Sequence, residues 1–195
     1  MNQLPGTVSK SIALVKNMPG ASQEVPMLIK QMFTAQLAFF GIYTLASGPN
    51  QMKLKRYFTV SPDSGMQSLA TFHFCHTSAL PLLVNLGALT TLGVYTCKTQ
   101  GVHPFMRLFG LGSIAASLAV AMDARSNEAQ TQAGSIGGSS ALLSYHVMKN
   151  PMYFSMFRVA PLTLPAAALA YGIYNNDAAV VGGLTAGYAA FLMCL

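Results

Sequence analysis

The stretch "SIGGSSALLS", residues 135–144, holds the one serine whose setting suits a nucleophile, Ser139 behind Gly137 and Gly138. A serine hydroxyl attacks only when a neighbouring base takes its proton. The chain has four histidines, His73, His76, His103 and His146. His146 lies seven residues beyond Ser139 on the same predicted helix. That is about 10 Å along the axis at 1.5 Å per residue, beyond hydrogen-bond reach. No histidine follows residue 146. The same small residues also suit two membrane helices in close contact, where missing side chains let backbones approach.

The other polar groups that would be costly in lipid are His73, His76 and Asn85. Such side chains face a bundle interior and bond across helices. His76 and Asn85 stand nine residues apart. On a straight helix that is about 900°, half a turn out of register. Pro81 between them, or a helix that begins after His76, would bring both toward one centre. Cys75, Cys97 and Cys194 are scattered, without metal-ligand spacing or a disulfide framework. No metal, cofactor or small-molecule substrate is expected.

These residues need elements to hold them, and the composition sets the solvent for those elements. The chain has 195 residues, 52% hydrophobic and 8% charged. A soluble domain carries about 25% charged residues, so the bilayer is the expected solvent. At roughly 20 residues per crossing, six spans fit: 27–47, 68–96, 105–122, 135–149, 153–174 and 178–195. Pro81 predicts a kink in the second. Pro161 and Pro165 fall near the start of the fifth. Residues 1–26 read as a surface arm or a weak presequence, and residues 27–195 as one all-α transmembrane domain.

The net charge of +6 comes from dispersed basic residues and the cluster Lys53, Lys55 and Arg56. That pattern fits loops beside anionic headgroups rather than nucleic acid. Six spans put Lys10, Lys16, Lys30, Lys98, Arg107, Lys149 and Arg158 on the N-terminal side. Lys53, Lys55, Arg56 and Arg125 fall opposite, so the positive-inside rule places the N-terminus in the cytosol or matrix.

Arg56-Tyr57-Phe58-Thr59 with Pro62, then "TFHFCHTSALPLLVN", "SIGGSSALL" and "GGLTAG" resemble, in that order, the rhomboid intramembrane serine proteases. The likeness is nearest to the mitochondrial presenilin-associated rhomboid-like branch and spans roughly residues 27–195. It implies a six-helix rhomboid-like bundle, with Ser139 at the nucleophile position and His76 and Asn85 at oxyanion-site positions. The family's general base stands two residues before a Gly-Gly pair on the last core helix. Gly182-Gly183 is that pair here, and the base position holds Val180. A second family histidine, five residues after the His76 position, is replaced by Pro81. Ser140 stands where the family usually has glycine.

Valine cannot accept a proton, and the last span has no lysine to replace the histidine. The expectation is therefore a pseudoprotease in which Ser139, His76 and Asn85 are vestigial. Gly137, Gly138, Gly182, Gly183 and Gly187 remain as helix-packing sites. The expected role is that of a structural or accessory subunit in a mitochondrial inner-membrane complex, such as a respiratory-chain or translocase assembly. Its partners would be the lipid bilayer and transmembrane helices of other subunits. The alternative is an active intramembrane serine protease that uses Ser139 with an atypical base.

Overall fold

A computed structural model describes residues 25–60, 66–126, 136–151, 163–174 and 177–193. Every described element of regular structure is a helix. In chain order these are α1 (Met27–Leu45), α2 (Gly48–Phe58), α3 (Met66–Thr71), α4 (Ala79–Thr99), α5 (Val102–Ser126), α6 (Ile136–Lys149), α7 (Thr163–Tyr174) and α8 (Ala178–Leu192). The expected arm up to residue 24, Pro161 and Cys194 lie outside the described residues.

Two described helices, α4 and α5, are long and apolar enough to cross a membrane. Helix α8 is apolar but shorter. The fourteen residues of α6 rise about 21 Å, less than the roughly 30 Å of a hydrocarbon core.

The expected second span is not one helix. α3 gives way to a 3-10 turn at Phe72–Phe74, the chain runs through Cys75 and His76 without helix, and α4 starts at Ala79. Ser78, with an extended backbone, precedes it. Pro81 is thus the third residue of α4, in the first turn, where helical N–H groups have no partner anyway. It sets a start and makes no kink. Pro165 likewise falls in the first turn of α7.

Within α4, Leu89–Gly93 winds as a π-helix. The hydroxyl of Thr90 donates to the Leu86 carbonyl at 2.8 Å and that of Thr91 to the Gly87 carbonyl at 2.7 Å. These side-chain bonds back onto the helix where the wide turn begins. After α4 the chain reverses through Gly101, whose φ of +101° only glycine adopts freely. Helix α8 opens on Asp177, whose carboxylate accepts the Ala179 N–H at 3.1 Å. Burial raises the Asp177 carboxyl above its ordinary range, and the Val180 and Ala179 amides pull it back down.

The most buried described helix is α6, packed against both α5 and α8, which also touch each other. Ten of its fourteen residues are buried, from Gly137 to Val147. Little side chain separates the three helices. A Cβ on Gly183 would collide with the Gly137 backbone, and one on Gly187 with the Ala141 carbonyl and the Ser144 hydroxyl. A Cβ on Gly182 would come 2.6 Å from the Ala115 carbonyl, and one on Gly138 2.6 Å from the Phe109 ring. Gly112 on α5 does the same against Ala141 and Gly137. Around this seam, Leu89, Phe105, Phe109, Leu142 and Tyr145 form the larger apolar cluster, with Ile29 from α1. Val60 and Phe72 join Ala116, Val120 and Ala179 in a second.

Hydrophobic burial does not drive helices together in lipid, so close packing must supply the contact energy. Gly183→Ala or Gly187→Ala should therefore destabilise the fold by about 1–3 kcal/mol, the range for overpacking. Gly87→Ala and Gly110→Ala, whose added methyls meet nothing within 4 Å, should be neutral or slightly stabilising. Thermal unfolding in detergent separates the two pairs. Equal behaviour would contradict the packing account.

Candidate functional site

Ser139 sits in the first turn of α6 and is buried. Its hydroxyl donates to the side-chain oxygen of Asn85 on α4. The Asn85 amide nitrogen in turn donates to the Gln36 side-chain oxygen on α1 at 2.7 Å. Asn85 and Gln36 are both fully buried. The three residues form one directed chain, α6 to α4 to α1, in which each side chain donates to the next. An amide oxygen accepts a hydrogen bond but does not take up a proton near neutral pH. The Ser139 proton is therefore committed to a group that cannot remove it.

Gln36 was not among the residues singled out from the sequence. A usable signal was there: Ile29, Gln36 and Tyr43 are the buried residues of α1 and repeat every seven positions. A polar side chain on the inward stripe of an apolar helix needs an interior partner.

The four histidines lie elsewhere. The His73 ring nitrogen Nε2 is 2.9 Å from the Ser117 hydroxyl, which donates to the Ser113 carbonyl at 2.9 Å. That contact ties the 3-10 turn to α5. His146 Nε2 is 2.6 Å from the Thr96 hydroxyl, which donates to the Leu92 carbonyl at 2.6 Å. With the threonine proton used, His146 is the donor. Ser139 and His146, seven residues apart, share one face of α6 and meet α4 at two levels: Asn85 at one, Thr96 at the other. His103 is exposed at the start of α5.

His76 is buried, and neither of its ring nitrogens has a hydrogen-bond partner among the described residues. It precedes α4, so the α-helical register between it and Asn85 does not apply. The structure does not bring it into the Ser139–Asn85–Gln36 chain.

Beside Ser139 lies a cavity of about 260 Å³ between α4, α6, α7 and α8. Pro81 and Val84 line it from α4, Ser139 and Leu143 from α6, Tyr171 from α7 and Val180 from α8. Val180 is 1% exposed, pressed against Gly172 of α7. Pro81 and Val180 make the wall aliphatic, and among the described residues no lining side chain can serve as a base near neutral pH. Such a cavity suits an apolar chain or helix surface. Among the described residues no three His, Cys, Asp or Glu side chains converge as metal ligands, and Cys75 and Cys97 are buried free thiols.

Breaking the polar chain at its middle should cost more than breaking its end. Asn85→Ala leaves both the Ser139 hydroxyl and the Gln36 carboxamide without Asn85, and should cost about 1–3 kcal/mol. Ser139→Ala removes one donor and should cost about 0.6 kcal/mol, the average for interhelical bonds in membranes. Chemical or thermal unfolding of the two variants in the same detergent checks the order. A Ser139→Ala cost equal to that of Asn85→Ala would contradict it.

The family described as Rhomboid domain matches residues 63–195 of the chain. No curated protein matches it.

Proposed function

This chain belongs to the rhomboid family, normally intramembrane serine proteases, and we propose that it is a member without peptidase activity. In this reading it crosses the membrane six times, through α1, α4, α5, α6, α7 and α8. It serves as a structural or accessory subunit that holds transmembrane helices of other proteins. Its site is the mitochondrial inner membrane, within an assembly such as a respiratory-chain complex or a translocase. The mitochondrial placement is supported by the likeness of its motifs to the presenilin-associated branch.

One observation carries the loss of activity. Two of the positions where the family pattern has a histidine hold Pro81 and Val180 here; both are aliphatic and line the cavity that Ser139 opens on. The polar partner Ser139 does have, Asn85, is an amide. The cavity's apolar walls suit a helix held in place rather than one cut.

Two measurements test the reading. After gentle solubilisation, native electrophoresis should find the chain in a complex well above its own 20.6 kDa. Reconstituted with a transmembrane substrate, wild type and Ser139→Ala should be equally inert. Migration only as a free monomer contradicts the subunit role. Cleavage that disappears in Ser139→Ala restores the protease with an atypical base.

A further inference from the structure

Helix α2 has a face that no other described element covers. It has eleven residues, about 16 Å in length, too short to cross a hydrocarbon core. It follows α1 after only Ala46 and Ser47. Gln51, Leu54 and Phe58 turn inward, spaced three and four residues apart. Gln51 donates to the Tyr43 carbonyl at 3.4 Å, and the Phe58 ring lies 4.8 Å from that of Phe39. On the helical wheel, Arg56 and Lys53 fall about 170° and 130° from the centre of that inner face. Met52 and Tyr57 flank them, 74% and 60% exposed.

We propose that this outer stripe, Lys53 and Arg56 between Met52 and Tyr57, is a docking surface for anionic phospholipid headgroups. The helix would lie in the plane of the membrane surface. Three further observations carry it. Lys53, Lys55 and Arg56 are all exposed, and none makes an ion pair or side-chain hydrogen bond among the described residues. The charge is therefore available to phosphate, at about the strength of one basic residue per anionic contact. Next, the end of α2 has its carbonyls capped from within. The Thr59 hydroxyl donates to the Lys55 carbonyl at 2.6 Å and the Thr71 hydroxyl to the Tyr57 carbonyl at 2.6 Å. Such capping suits an end placed where water is scarce. Finally, an exposed tyrosine and methionine beside a basic ridge are costly in bulk water and favourable at the headgroup boundary. The proposal does not depend on whether Ser139 is active.

The test uses the delipidated full chain, titrated with phosphatidylglycerol or phosphatidylcholine and read by native mass spectrometry. Wild type should favour phosphatidylglycerol. Lys53→Gln with Arg56→Gln should weaken that binding about tenfold or more, each single change by less, with phosphatidylcholine binding unaltered. Lys98→Gln with Arg107→Gln removes equal charge elsewhere and should keep the preference. Because the single changes sit on an exposed face, they carry the test if the double variant unfolds. Wild-type phosphatidylglycerol binding in the Lys53 and Arg56 variants, or an equal loss in the control, overturns the proposal. So does loss of a co-purifying acidic protein from the native complex while lipid binding stays intact, since that assigns the stripe to a protein.

Discussion

The contact between the backbones of Gly137 and Gly183 is the constraint on which the rest of the structure depends. It lets α6 and α8 approach until no Cβ fits between them. Gly187 against Ala141 and Ser144 continues the seam, and Gly112 with Gly138 closes the adjoining side of α6 against α5. A helix held on two sides by backbone has little freedom to rotate. Its third side then faces α4 with Ser139 and His146 in fixed register, and each finds a polar partner there. Ser144 adds a third polar tie, to α8, donating to the Leu184 carbonyl at 2.9 Å.

The same seam fixes what stands opposite the serine. Gly182 meets Ala115 on α5, so Val180, two residues earlier, is held on the wall of the cavity that Ser139 lines. Repacking cannot easily bring another α8 side chain to that place. The chemistry available to the hydroxyl is therefore set by residue identity at a few positions: an amide at 85, valine at 180 and proline at 81. A scaffold this tightly sealed keeps its shape regardless of catalysis, which is why the small residues make structural sense without a reaction.

Much of this was legible in the sequence, and the rest was not, for physical reasons. The all-helical class followed from the scarcity of charge and the apolar runs. Gly137, Gly138, Gly182, Gly183 and Gly187 stand out in the sequence because lipid leaves close contact as the main source of helix association. The second span reads as continuous from 68 to 96 because Phe72, Phe74 and the apolar run from Ala79 to Val84 outweigh the histidines between them in a window of that length. Hydropathy does not register that Ser78 and Pro81 together specify a start at Ala79. The partner of Asn85 was missed because Gln36 sits in an apolar run without a motif. Only its seven-residue spacing from Ile29 and Tyr43 marks it. A helix that begins after His76 was one of two options the sequence offered, but where that non-helical backbone puts the ring is something no periodicity describes.

The account stands most directly on whether the hydroxyl of Ser139 can be made to react. The measurement is treatment of the protein in its native membrane with a fluorophosphonate, the adduct being located by peptide mass spectrometry. With its proton held by an amide and aliphatic carbon opposite, Ser139 should remain unmodified at reagent levels that saturate ordinary serine hydrolases. An adduct on that oxygen, absent from Ser139→Ala, would mean that a base reaches it, and the account would be contradicted.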